Sequence, residues 1–163
     1  MQDRSSASIV LAFLAAVIVA TVWGAIVQTQ YNLAGLASIG ATISFDLRLR
    51  TTLEDVFGGF TPTYGGYVVA PSLFVAFIVA AWAARSGRGS RAAWFGAAGG
   101  IAILLGIPVV NYLSPVALLI GATRDVTCTV LMALGGVAAG VTFVSIAGRR
   151  AHGHRIAEAP VAP

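Results

Sequence analysis

Hydrophobic residues along the chain collect in four long runs, at about residues 8–27, 67–84, 92–113 and 126–148. None of these runs contains Asp, Glu, Lys or Arg, as burial in hydrocarbon requires. About 20 helical residues cross the roughly 30 Å core of a bilayer, and a helix satisfies its own backbone hydrogen bonds there. The pattern therefore predicts an all-α integral membrane protein, a bundle of four transmembrane helices in a single domain of residues 1–163.

The first run has an alternative interpretation as a cleaved signal peptide, because the positively charged Arg4 precedes it. The apolar core of a signal peptide is usually about 7–15 residues long and ends at a small-residue cleavage site. This run is longer and has no convincing site of that kind. We therefore favour an uncleaved first helix.

The composition excludes an ordinary soluble domain. Hydrophobic residues make up 58% of the chain and charged residues 10%, whereas a soluble domain is about 25% charged. The net charge is +4 and every basic residue is an arginine. Because the arginines lie in short clusters between apolar runs, they are typical of membrane topology signals and not of a nucleic-acid-binding face. The abundance of Ala, Gly, Val and Arg favours a bacterial source.

The arginines also predict the orientation, because cytoplasmic segments carry more of them than outer segments do. The majority set is Arg4, Arg85, Arg88, Arg91, Arg149, Arg150 and Arg155, and the minority set is Arg48, Arg50 and Arg124. Both termini, the 85–91 link and a flexible tail of residues 149–163 are then cytoplasmic. The expected location is the inner membrane of a bacterial cell.

Residues 28–66 are predicted to form a long, partly structured outer loop between the first two spans. Within residues 43–50, apolar and polar positions alternate, and this period of two predicts a short half-buried strand. Residues 51–54 and 52–55 both fit the capping-box pattern. They predict a short helix over residues 53–57, ended by Gly58 and Gly59.

Small residues spaced four apart predict where the helices pack, because helices in lipid associate where their backbones can approach closely. The first run has one continuous stripe of such residues, and the third and fourth runs have one pair each. The predicted packing residues are Ala12, Ala16, Ala20, Gly24, Gly96, Gly100, Gly136 and Gly140.

Polar residues next to the membrane runs are concentrated on the predicted outer side. They are Gln28, Gln30 and Asn32 after the first run, Asn111 and Tyr112 at the end of the third, and Arg124 and Asp125 before the fourth. In a four-helix bundle these positions converge at one level and form a candidate pocket or docking face. The alternative is that they cap helix ends and hold the loop in place.

Residues that carry common chemistry are few. His152 and His154 lie in the tail, Cys128 lies inside an apolar run, and no phosphate-binding, nucleophile-elbow or zinc-binding motif is present. The sequence therefore predicts no catalytic residue, no metal ligand and no cofactor that can be named.

Three functions are compatible with this pattern. The first is a non-catalytic accessory, anchoring or assembly subunit whose partners are the lipid bilayer and another membrane or periplasmic protein, or a second copy of the chain. The second is a small transporter or channel for a neutral solute, since the spans contain no ionisable side chain. The third is a membrane enzyme or redox partner that binds a quinone-like ligand at the outer face.

Overall fold

The computed structural model describes the backbone of residues 2–87, 89–113 and 125–157 and the side chains of residues 6–87, 89–113 and 125–148. Across these ranges the structure is helical and contains no strand. Four segments of them are long and apolar enough to cross a membrane, namely Ser6–Ser38, Phe45–Ser86, Arg91–Leu113 and Val126–Gly148. The predicted all-α class is therefore confirmed for the described residues, and the four apolar segments have the length and composition expected of a multi-pass membrane protein.

The helices follow one another as α1 (Gln2–Ser38), α2 (Phe45–Phe57), α3 (Thr61–Thr63), α4 (Ala70–Ala83), α5 (Arg91–Leu113) and α6 (Val126–Ala157). A π-helical segment, Tyr64–Val69, joins α3 to α4, and a 3-10 turn, Ala84–Ser86, follows α4. Gly87 then ends this helix with a positive φ of 71°, a conformation that favours a residue without Cβ. α6 includes residues 149–157 of the predicted tail, and residues 158–163 lie outside the described chain.

α1 is longer than its apolar run, because it continues through the polar residues 28–38. Within the predicted outer loop of residues 28–66, the structure is helical except at residues 39–44 and 58–60. Polar side chains end a lipid-facing surface, but they do not end a helix. The helix ends only at a turn that contains Gly40 with a φ of +95°.

The strand predicted over residues 43–50 is not confirmed, because the chain is helical from Phe45 onward. Ser44 caps the N-terminus of α2, where its Oγ accepts a hydrogen bond from the Leu47 N–H at 3.2 Å. The same apolar residues also recur every fourth position, and over so short a window the two periods compete. The predicted helix of residues 53–57 is the second half of α2, which ends where Gly58 N–H donates to the Glu54 carbonyl.

The π-helical segment widens the helix directly before α4. Pro71 lies in the first turn of α4, where it has no N–H to donate and its ring crowds the carbonyl four residues earlier. A wider turn relieves that crowding, and glycines at positions 65 and 66 tolerate the altered backbone. Segments of this kind are rare and are often found at functional sites.

α6 packs against both α1 and α5, α4 packs against α5, and the π-helical segment contacts α1. The predicted small stripe of α1 (Ala12, Ala16, Ala20 and Gly24) is buried. Trp23 lies against Gly135 of α6, and its indole N–H donates to the Leu131 carbonyl at 2.8 Å.

α5 and α6 meet through glycine backbones. A Cβ added to Gly99 would meet the carbonyl of Gly136, and one added to Gly140 would meet the carbonyl of Phe95. The predicted packing residues Gly96, Gly100, Gly136 and Gly140 are all buried. Gly99, which the four-residue spacing does not include, lies directly opposite Gly136.

Next to this glycine contact, three phenylalanines from different helices form a compact cluster. The ring centroids of Phe77 and Phe143 are 4.8 Å apart, those of Phe95 and Phe143 5.1 Å, and those of Phe77 and Phe95 5.3 Å. These separations are typical of favourable aromatic pairs. The part of the core where α4, α5 and α6 meet is therefore apolar.

Candidate functional site

Polar side chains of α1 and α2 form a hydrogen-bonded cluster that we call the polar junction: Thr29, Gln30, Arg48, Thr52 and Asp55. The Thr29 hydroxyl donates to Asp55 Oδ2 at 2.6 Å, a bond strengthened by the carboxylate charge. Gln30 Nε2 donates to Thr52 Oγ1 at 2.9 Å, and Arg48 donates to Gln30 Oε1 at 2.5 Å. Since no residue of α2 is buried, these bonds rather than apolar packing hold α2 on α1.

The polar junction also fixes the direction of α2. Residues 48, 52 and 55 lie on one face of a helix, and all three bond to Thr29 or Gln30. The chain turns back between α1 and α2, at residues 39–44, so that α2 packs on the last part of α1; we call the two helices the α1–α2 hairpin. The Thr61 hydroxyl then bonds back to the Val56 carbonyl at 2.8 Å, which ties the end of the hairpin to α3.

A second polar contact joins α1 to the start of α6. The Tyr31 hydroxyl donates to Asp125 Oδ2 at 3.3 Å, and Asp125 Oδ1 accepts a hydrogen bond from the Thr127 N–H at 2.8 Å. The pKa of the Asp125 carboxyl lies below its ordinary value of 3.8. The main cause is the hydrogen bond from the Thr127 N–H, and hydrogen bonds from the Thr127 and Tyr31 hydroxyls add to it. An ionised Asp125 thus caps α6 and binds α1 at the same time.

Three buried side-chain oxygens, which we call the oxygen triad, belong to α1 and to the π-helical segment that packs on it: Thr21 Oγ1, Gln28 Oε1 and Tyr64 Oη. Thr21 is 3% exposed, Gln28 6% and Tyr64 0%. A Cβ added to Gly24 would lie 3.0 Å from Tyr64 Oη, and one added to Gly65 would lie 3.0 Å from Thr21 Oγ1. Within the part of the chain that the structure describes, none of the three oxygens has a hydrogen-bond partner.

The polar residues singled out from the sequence lie in different surroundings. Gln28 belongs to the oxygen triad, Gln30 to the polar junction, and Asp125 to the contact between α1 and α6. Asn32 and Tyr112 are exposed, and Asn111 is half-buried near the end of α5. Arg124 lies outside the described residues.

Several residues of these clusters were not predicted as site residues, namely Thr21, Thr29, Tyr31, Asp55 and Tyr64. One signal was available for Thr21, because it precedes Gln28 by seven residues and so shares a helix face with it. Tyr64 stands directly before two glycines, a weak signal of close packing. Its contact with Gly24 joins residues far apart in sequence and is not visible in any local pattern.

α2 carries a row of exposed apolar side chains, the α2 stripe, at Phe45, Leu49, Leu53 and Phe57. Their exposed fractions are 79%, 49%, 46% and 83%. A spacing of four places them along one side of the helix, over a length of about 18 Å. Asp46 and Arg50 stand beside the stripe as an exposed ion pair at 3.9 Å.

An apolar groove of about 490 Å³ runs between α4 and α5. Alanines form much of its wall, Trp94 lies at one end and Ser72 at the other. Because its walls are almost wholly apolar, the groove matches the hydrocarbon of a bilayer and offers no polar group that would orient a ligand.

Among the side chains that the structure describes, in residues 6–87, 89–113 and 125–148, no group of three or more His, Cys, Asp and Glu is placed to hold a metal ion. Cys128 is a free thiol buried in α6. Neither observation adds a reactive centre to the polar clusters described above.

Comparisons of this chain with protein-family models, curated proteins and solved structures find no match. Its function must therefore be inferred from the geometry of its own residues.

Proposed function

We propose that this chain is a small non-catalytic membrane subunit that anchors or assembles a larger complex, and that it binds a partner protein through the α1–α2 hairpin. The observation that carries the proposal is the α2 stripe. Four large apolar side chains stand exposed in a row, on a helix held to the rest of the chain largely by hydrogen bonds. Contiguous exposed apolar surface of this kind marks interaction sites.

The proposal places the four apolar segments as a bundle in a bacterial inner membrane, with both termini in the cytoplasm. Ser6–Ser38 has 33 residues, about 50 Å of helix, which exceeds a bilayer core of about 30 Å. The excess belongs at the end where polar residues begin at Gln28. The arginine-rich link between α4 and α5 lies at the opposite, cytoplasmic side, so the hairpin projects outward.

A protein partner suits the α2 stripe better than lipid does. Asp46 and Arg50 stand beside the stripe as an exposed ion pair. Because charged side chains are costly in hydrocarbon, we expect the stripe to lie outside the lipid core. We therefore expect the stripe to be covered by an apolar face of another membrane or periplasmic protein.

The test is affinity purification in mild detergent with a tag on the C-terminus, followed by mass spectrometry and by measurement of the mass of the purified species. The variant is Phe45→Ser with Phe57→Ser, which removes the two most exposed side chains of the stripe. We expect a stoichiometric partner with the unmodified chain and its loss with the variant, because aromatic anchors dominate binding energy.

The matched control is Asp46→Ser with Arg50→Ser, which changes two exposed residues of the same helix outside the stripe. It should retain the partner. A partner that is retained equally by both double variants, or a chain that purifies alone as a monomer, would contradict the proposal. A stripe-dependent dimer would identify the partner as a second copy of the chain.

The two alternative functions receive less support. A pore for a neutral solute needs a polar path across the membrane, and the buried core residues around Phe77, Phe95 and Phe143 are apolar. A lipid-soluble ligand at the outer face is favoured by one observation, the buried oxygens of Thr21, Gln28 and Tyr64. The hydrogen-bonding chemistry of those oxygens decides what they can bind.

A further inference from the structure

The oxygen triad has unmet hydrogen bonds in a place that bulk water does not reach. Buried polar side-chain atoms in folded proteins nearly always have a partner, because an unpartnered one destabilises the fold. Here three such atoms belong to α1 and to the π-helical segment that packs on it, and Tyr64 is among the largest fully buried side chains. Three unpartnered oxygens at one helix contact indicate that a bound group supplies the missing hydrogen bonds.

The geometry brings the triad around one position on α1. Gly24 follows Thr21 by three residues and precedes Gln28 by four, so all three share a face of the helix. Thr21 and Gln28 then lie about 4.5 Å and 6 Å along the axis on either side of Gly24. Tyr64 Oη lies directly over Gly24, since a Cβ there would be 3.0 Å from it.

The chemistry of the three groups restricts the occupant. The Gln28 Oε1 atom only accepts hydrogen bonds, whereas the hydroxyls of Thr21 and Tyr64 both donate and accept. The occupant must therefore donate, and a quinone, which has only carbonyl acceptors, would leave Gln28 Oε1 unsatisfied. The triad itself has no charged member, and the carboxylate of Asp55 is bonded by Thr29, so the occupant is neutral.

The occupant is also small, because Gly24 and Gly65 let the Tyr64 ring and the Thr21 side chain pack tightly against the opposite helix. We propose that the oxygen triad is a buried binding site for water, which bridges Tyr64 to α1. Buried waters of this kind typically make about three hydrogen bonds to otherwise unsatisfied groups. The site is independent of the partner-binding function, since it lies at another face of α1.

The test compares Thr21→Val, Gln28→Leu and Tyr64→Phe with the unmodified chain by thermal unfolding in detergent. If water is bound, each variant removes one of its hydrogen bonds and lowers Tm by roughly 2–4 °C. The triple variant removes site and water together, so its loss is smaller than the sum of the three. If the oxygens are simply unpartnered, Tyr64→Phe removes a destabilising hydroxyl and raises Tm, which would overturn the proposal.

Two controls make the result specific. Tyr67→Phe removes a hydroxyl from an exposed tyrosine of the same π-helical segment and should leave Tm unchanged. In NMR spectra of glycine-labelled protein, protons of Gly24 and Gly65 should show cross-relaxation with long-lived water, whereas those of Gly99 and Gly136 at the α5–α6 contact should not. Absence of the signal at Gly24 and Gly65 would refute bound water even if Tm falls.

Discussion

α5 meets α6 through the backbones of Gly99, Gly136 and Gly140, whereas α2 meets α1 through the side chains of Thr52 and Asp55. The first contact contains no polar side chain and depends on close approach. The second contains charged and polar groups and buries no residue of α2. The two contacts therefore respond to different perturbations. The stability of the first depends on the volume of the side chains between the helices, and that of the second depends on hydrogen bonding.

The difference has a physical origin in the surroundings of the two contacts. Between helices in lipid, apolar burial brings little gain, and close packing of small residues supplies the association energy. At the hairpin, each hydrogen bond between side chains replaces bonds to water, so the net gain in stability per bond is small. Under the proposed function, the α5–α6 contact would belong to the membrane anchor and the hairpin to the partner-binding surface.

The largest effect is expected at the glycine contact. Gly140→Val should lower the free energy of unfolding by about 3 kcal/mol or more, because the added side chain meets the backbone of Phe95 and separates α5 from α6. Gly148→Val is the matched control on the same helix, since nothing lies within 4 Å of a Cβ at that position. Unfolding in a detergent titration measures the stability of both variants. Equal stability of the two would show that the close approach of α5 and α6 does not determine the stability of the fold.

A smaller and local effect is expected at the polar junction. Asp55→Asn should weaken the bond from Thr29 by about 1–2 kcal/mol, because it replaces a charged acceptor by a neutral one. The loss should appear as faster hydrogen exchange in α2 and faster proteolysis at residues 39–44, while α5 and α6 stay protected.

The matched control for this prediction is Asp46→Asn, which removes an equivalent charge from an exposed position of α2. It should leave both readouts unchanged. Combining Asp55→Asn with Thr29→Val should add little to either single change, since both remove the same bond. Additive effects would instead mean that Thr29 and Asp55 act through different partners.

The contrast also explains what could be predicted from the sequence. α5 and α6 were predicted because a helix in lipid must be long, apolar and rich in small contact residues, and these constraints are visible residue by residue. Gly99 was missed because a fixed spacing of four selects Gly96 and Gly100, although Gly99 lies opposite Gly136. The exact facing pair depends on the crossing of two helices and not on either one alone.

The hairpin was harder to predict, because its polar residues are compatible with more than one local structure. Gln28, Gln30 and Asn32 predict an end of the lipid-facing surface, but α1 continues through them. Alternation between residues 43 and 50 fits a strand as well as a short helix, and the Ser44 cap decides for the helix. The oxygen triad depends on a contact between Gly24 and Tyr64, which no local pattern reveals.

The smallest effect is expected at Asp125, which joins α1 to α6 by hydrogen bonds like those of the hairpin. Its pKa in the folded chain is below 3.8, so the ionised form stabilises the fold. That contribution is complete above pH 3.8 and is lost as the pH falls through the lower folded pKa. Asp125→Asn should therefore slightly lower Tm at neutral pH, and the difference from the unmodified chain should vanish in acid.

At the glycine contact we expect no pH dependence, because no titratable group takes part in it. The Tm deficit of Gly140→Val should stay constant over the pH range in which that of Asp125→Asn disappears. Tyr31→Phe removes only one of the bonds to the carboxylate and should show a weaker pH dependence than Asp125→Asn. A deficit of Asp125→Asn that persists unchanged below the folded pKa would mean that the carboxylate charge does not hold α1 to α6.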